Sequence, residues 1–132
     1  MGRKLLVDTN ILIQLERGDS QALAHFRDDD DIAIGSVTRA ELLTGPLLAN
    51  DSALRARRRK TAQAVLAGVT VLDYTAATAA VHAHLLAHVK TTGTPRGAHD
   101  LIIAAHARET GRRLVTTDTQ ARFGDLPGVH TA

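Results

Sequence analysis

Four short apolar runs punctuate this chain, and longer segments with helical spacing separate them. Lys4 to Val7, Ile32 to Gly35, Val69 to Leu72 and Leu114 to Thr116 are dominated by Leu, Val and Ile and read as buried strands. Between them apolar residues recur at three- and four-residue intervals, as in Leu12 and Leu15 or Val81, Leu85 and Val89. Strands that alternate with helices admit few architectures. They imply an α/β fold with a central, mostly parallel sheet flanked by helices on both faces. Ligands of such sheets bind beyond the carboxyl ends of the strands, so residues that directly follow a strand carry functional information.

The helical segments have recognisable ends. Asn10 to Arg17 reads as a helix stopped by Gly18, and Ser20 to about Arg27 as a second. Ser36 or Thr38 opens a helix that ends near Gly45-Pro46, and Asp51 or Ser52 caps a long one reaching Gly68. Thr75 caps the helix of Val81, Leu85 and Val89; Ala98 to Thr110 is closed by Gly111. Asp118 to Phe123 reads as a short helix and Val129 as part of a final edge strand. No repeat, low-complexity tract or linker interrupts the series, so residues 1–132 are expected to form one domain.

Composition narrows the function. The chain has no cysteine, which removes disulfides, thiolate metal sites and cysteine nucleophiles and fits a reducing compartment. Only three apolar residues separate Lys4 from Asp8, too few for a signal-peptide core, and no long apolar run follows. A cytoplasmic location without a membrane partner is expected. Sixteen basic against fourteen acidic residues permit a nucleic-acid partner. The aromatics are Phe26, Tyr74 and Phe123, too few for a platform of stacked bases, so phosphates and shape would dominate.

Four acids stand where the fold would gather them. Asp8 follows the first strand, Asp118 follows the last, Glu41 lies one turn into the helix after the second, and Asp100 opens the Ala98 helix. Each has a purely structural use. Asp8 and Asp118 are good helix caps, Thr38 to Glu41 matches a capping box, and Asp100 suits a helix dipole. Their convergence is harder to explain by capping, because a pair of like charges ~4 Å apart costs about 1–4 kcal/mol. A cation removes that cost. Oxygen ligands without His or Cys suit Mg²⁺ or Mn²⁺, which enzymes employ on phosphates.

Val7-Asp8-Thr9-Asn10, Val37-Thr38-Arg39-Ala40-Glu41-Leu42, His99-Asp100-Leu101-Ile102-Ile103-Ala104-Ala105 and Val115-Thr116-Thr117-Asp118 together resemble the PIN-domain ribonucleases. More narrowly the chain resembles the VapC toxins of bacterial toxin–antitoxin pairs, over nearly its whole length. The resemblance implies a PIN-like three-layer domain and a metal-dependent endoribonuclease. Asp8, Glu41, Asp100 and Asp118 would form the acidic site, with Asp8 and Asp100 as the most direct metal ligands and Thr9 and Thr116 as supporting hydroxyls. It further implies one or two Mg²⁺ or Mn²⁺ ions, an RNA substrate, a homodimer, and a cognate VapB-like antitoxin that docks over the site. In this family Asn is common at the Asp118 position, and His99 is a departure for which the resemblance sets no expectation: it reads either as a contact supporting the metal carboxylate or as a residue without a role.

Other features weigh less. Arg55 to Lys60 is a dense basic stretch, read either as a solvated helix face or as a phosphate contact through Arg55, Arg58 and Arg59. His84 and His88 have helical metal spacing but lack an intervening Glu, and read as ordinary histidines. Asp28 to Asp31 precedes a strand, which places it at the sheet's opposite edge as a solvated turn. No phosphate-binding glycine loop and no GxSxG elbow occurs. Two rival readings share the fold: a phosphoacceptor module with a Mg²⁺ pocket, disfavoured because no Lys follows Lys90, and a non-catalytic binding protein.

Overall fold

The computed structural model describes residues 2–132. Strands β1 (Lys4–Val7), β2 (Asp31–Gly35), β3 (Thr70–Leu72) and β4 (Arg113–Val115) form one sheet in the order β3-β2-β1-β4. Every pairing is parallel. Leu6 stands beside Ala33 and Leu114, Val7 beside Val115, and Gly35 beside Leu72. The carboxyl ends of all four strands therefore share one edge.

Side chains alternate across this sheet and are buried on both faces. Leu6, Ala33 and Leu114 pack with Leu85 of α4 (Ala76–Thr92) and Leu101 and Ile103 of α5 (Ala98–Thr110). Leu5, Val7, Ile34 and Val115 pack on the other face. They meet Ile11 and Leu12 of α1 (Thr9–Glu16), Leu42 of α2 (Ser36–Leu47) and Ala62 of α3 (Ser52–Ala67). Full burial of each large aliphatic side chain is worth about 1.5–3 kcal/mol, so the two-sided strands fix the register. Gly35 is required where β2 meets α5, because a Cβ there would lie 2.8 Å from Cδ2 of the buried His106. Gly111 ends α5 with φ +68°, a left-handed turn that suits glycine. No helix of the described residues is long and apolar enough to cross a membrane.

Several expectations change. Ser20–His25, expected to be a helix reaching about Arg27, is a shorter 3₁₀ helix capped by Asp19. α2 starts at Ser36 with Gly35 as its cap and continues through Pro46, so Thr38 lies inside the helix and the Thr38–Glu41 capping box does not form. That frees the Glu41 carboxylate. The expected helix from Asp118 to Phe123 is a turn, in which Asp118 Oδ1 accepts from the backbone N–H groups of Gln120 (3.0 Å) and Ala121 (3.1 Å). Arg122, at φ +45°, breaks the run, and a short 3₁₀ helix follows at Phe123–Asp125. Val129 joins no strand; a single parallel bridge pairs Thr131 with Leu114 instead.

The acidic run lies at the amino edge of the sheet as expected; Asp28 and Asp29 are exposed, as a solvated turn implies, while Asp30 and Asp31 are paired. Asp30 meets Arg3 at 2.7 Å and Asp31 meets Arg112 at 3.2 Å.

Candidate active site

Asp8 owes its position to β1, which is buried on both faces up to Val7 and must then turn into α1. The chain makes that turn on the Asp8 carboxylate, whose Oδ1 accepts from the Thr9 N–H at 2.7 Å. Capping is therefore real, but it occupies one oxygen only. Asp8 Oδ2 accepts from the Thr116 hydroxyl at 2.8 Å, and that same hydroxyl accepts from the Asp118 N–H at 3.0 Å. One threonine after β4 thus ties together the acids that follow the neighbouring strands β1 and β4.

Thr9 plays the matching part on the other side. Its hydroxyl donates to Glu41 Oε1 at 3.0 Å and lies 3.4 Å from the hydroxyl of the buried Thr38. Asp8, Thr9, Asn10, Ile13, Glu41, Thr44, Asp100, Ile103 and Asp118 line one pocket of about 340 Å³ at the carboxyl edge of the sheet. His99 stands at the rim, with Nδ1 3.7 Å from Glu41 Oε2.

The electrostatics follow from this crowding. Burial pushes the Asp8 carboxyl up; the Thr116 and Thr9 hydrogen bonds pull it back, and the charges of Asp118 and Glu41 push it up again. Asp100 is also raised, by burial and then by the charges of Asp8, Asp118 and Glu41. No Lys or Arg among the described residues forms a salt bridge with any of the four acids.

The donor chemistry fits a hard divalent cation. The pocket offers carboxylate and hydroxyl oxygens, with no sulfur and one imidazole at its rim. Among the described residues no three acidic or imidazole groups converge tightly enough to grip an ion by themselves. A cation that takes one or two carboxylates and keeps several waters, as Mg²⁺ does, matches that spacing better than a fully protein-caged ion.

All four acids anticipated from the sequence meet in this pocket, and Thr9 and Thr116 bond to two of them. The basic stretch does not line it. Arg55 donates to the Ala49 carbonyl at 3.0 Å, Arg58 lines a separate groove beside Glu16, and Arg59 is exposed. Sequence reasoning misses Asn10 and Thr44 as lining residues. Their signal is positional, two residues beyond Asp8 and three beyond Glu41.

A parallel four-stranded sheet wrapped by helices, with an acidic pocket at its carboxyl edge, defines a PIN-like α/β domain. The PIN domain profile matches residues 5–127. The chain is 32% identical over 130 residues to the tRNA(fMet)-specific endonuclease VapC of Shigella flexneri, covering 97% of this chain and 96% of that one. It is 32% identical to Ribonuclease VapC2 of Haemophilus influenzae, over 87% of this chain and 86% of that protein. Its fold matches DNA-bound VapBC from Salmonella typhimurium with a TM-score of 0.86 at 25% identity, covering 98% of this chain and 97% of that chain. The chain belongs to the PIN-domain family and, within it, to the VapC toxins.

Proposed function

We propose that this protein is a divalent-metal-dependent endoribonuclease, the toxin of a toxin–antitoxin pair, and that it cleaves RNA at the pocket of Asp8, Glu41, Asp100 and Asp118. The observation that carries this reading is the meeting of four acids in one pocket, two of them held by neutral hydroxyls, with no Lys or Arg partner among the described residues to balance them. Such a pocket repels a polyanion unless a cation intervenes. Asp8 and Asp100 would hold Mg²⁺ or Mn²⁺, one ion or two. When bound, that ion supplies a polarised water and offsets charge on the phosphodiester.

The chain's own residues supply orientation. Thr116 fixes Asp8 through Oδ2, and Thr9 fixes Glu41 through Oε1. Glu41 Oε2 accepts no hydrogen bond from the described residues, which leaves it free to take a proton from the attacking water. Asp118, which lines the same pocket, completes the site or orients that water. Water adds to phosphorus as the bond to the 3′ oxygen breaks, and the products are a 5′-phosphate and a 3′-hydroxyl.

The Shigella relative is named for tRNA(fMet), so a tRNA pool is the first substrate to try. Structural neighbours solved as VapBC complexes support a cognate antitoxin partner, and we extend the reading to a cytoplasmic homodimer. Arg58 and Arg59 remain available for phosphate contacts outside the pocket; Arg55 is engaged with Ala49. The test uses antitoxin-free protein on total cellular RNA with Mn²⁺, with EDTA and Asp100→Asn as controls. Discrete fragments that vanish in both controls support the reading. Intact RNA with folded, metal-bound protein on a pool that includes tRNA overturns it.

A further inference from the structure

The four acids are not secured alike. Thr9 bridges Asp8 and Glu41, and Thr116 bridges Asp8 and Asp118. Asp100 accepts no hydrogen bond from the described residues, although it shares the pocket with the other three. Asp118 sits on the loop after β4 and Asp100 on the first turn of α5, so two separate segments must be kept in register across the pocket. Like charges on both push them apart.

Arg96 spans that gap. It lies directly before Gly97, the cap of α5, and its Nη1 donates to the carbonyls of Ala121 and Arg122, the latter at 2.8 Å. Ala121 in turn donates its N–H to Asp118 Oδ1 at 3.1 Å. A continuous path therefore runs from the start of α5 through the guanidinium to the Asp118 carboxylate. Arg122 holds φ +45°, a left-handed conformation that a non-glycine residue keeps only when its surroundings enforce it. The guanidinium on its carbonyl provides such enforcement.

We propose that Arg96 is a positioning residue that locks the Asp118 loop to the Asp100 helix and so sets the spacing of the two acids across the pocket. It works through backbone carbonyls, which leaves both carboxylates negative for a cation. A lysine or arginine aimed at the acids themselves would fix them equally well and cancel their charge. The catalytic consequence rests on the ribonuclease reading above; the structural one does not.

The test begins with amide hydrogen exchange on the full chain in EDTA. In Arg96→Ala the Gln120 and Ala121 amides are expected to exchange about tenfold faster. The Leu114 amide, bonded to the His130 carbonyl, should stay unchanged and report an intact sheet. Arg96→Lys should recover part of the protection. The second readout is a cycle of Arg96→Ala, Asp118→Asn and the double variant, scored by Mn²⁺ affinity and by kcat against KM on RNA. The Asp118→Asn side chain keeps the acceptor that the loop amides need, so the cycle isolates the charge. If Arg96 acts through Asp118, the double variant is no worse than Asp118→Asn alone. Unchanged exchange at Gln120 and Ala121 overturns the proposal, as do multiplicative effects in the cycle, which would mark a generic staple. If the wild-type chain cuts no RNA, the function reading falls, while exchange and Mn²⁺ affinity still decide the role of Arg96.

Discussion

Replacing Asp100 by Asn removes one charge from a pocket lined by four acids with no Lys or Arg partner among the described residues. In metal-free protein at neutral pH that change is expected to stabilise the fold while it abolishes cleavage. Burial, then the charges of Asp8, Asp118 and Glu41, raise the Asp100 carboxyl, and His99 opposes them. A carboxyl raised on folding binds more protons in the folded chain than in the unfolded one. Its contribution to stability is full below the unfolded carboxylate value of about 3.9 and is lost as pH climbs through the raised folded value. Two effects set the size. Each like-charge pair costs about 1 kcal/mol at 4 Å in water and less at larger separations, and solvent reaches the half-buried Asp100. Against this, the first turn of α5 favours a negative charge by about 0.3–1 kcal/mol. The net gain for Asp100→Asn is then about 0.5–1 kcal/mol at pH 7, or roughly 2–5 °C in Tm for a domain of this size. Urea denaturation in EDTA from pH 4 to pH 8 measures it. The gain should grow with pH across the lower half of that range and then level off. A loss of stability at pH 7, or a gain indifferent to pH, would refute the reasoning.

Three further outcomes follow from the same geometry. Mn²⁺ at about 100-fold over its Kd should add about 2.7 kcal/mol of stability to the wild-type chain and almost none to Asp8→Asn, read by thermal melts with and without EDTA. Thr116→Val deletes a hydrogen bond to a buried carboxylate and leaves the Asp118 N–H without its acceptor; chemical denaturation at pH 7 should register a cost of about 1.5–3 kcal/mol. Asp30 is held at about 2, first by the Arg3 hydrogen bond, so its contribution to stability is present above the unfolded value and is lost as pH falls from about 4 towards 2. Asp30→Asn should therefore lower Tm at pH 7, with the difference from wild type closing near pH 2.

The sheet and the acids were legible because their causes are local. A short Leu- and Val-rich run reads as a buried strand whatever surrounds it, and an acid directly after such a run must lie at the carboxyl edge of a parallel sheet. What escaped was decided by distant partners. Thr38 looks like a cap from spacing alone, yet Gly35 takes that place, and Thr38 is buried against Thr9. Asp118 looks like the start of a helix, yet Arg122 turns left-handed and the Arg96 guanidinium takes two carbonyls of that turn. Asp30 sits in a run of four aspartates that reads as solvated, while the Arg3 that pairs with it comes 27 residues earlier. No window of sequence contains both halves of those interactions.

The choice of threonine at the pocket has a physical reason beyond fit. A carboxylate can be fixed by a cationic side chain or by a neutral donor, and only the neutral donor leaves its charge available. Thr9 and Thr116 fix Glu41 and Asp8 with hydroxyls, and Arg96 reaches Asp118 only through the peptide of Ala121. Arg3 and Arg112 pair with acids at the amino edge of the sheet, where they tie the Asp30 turn and the start of β2 to the rest of the fold, and the Arg122–Asp125 pair beyond β4 leaves the pocket acids untouched. Charge is thus neutralised at the amino edge, while the four pocket acids at the other have no Lys or Arg bridge among the described residues. Uncompensated like charges oppose folding, which is why removal of Asp100 is expected to help the metal-free fold and to hurt only what the pocket does.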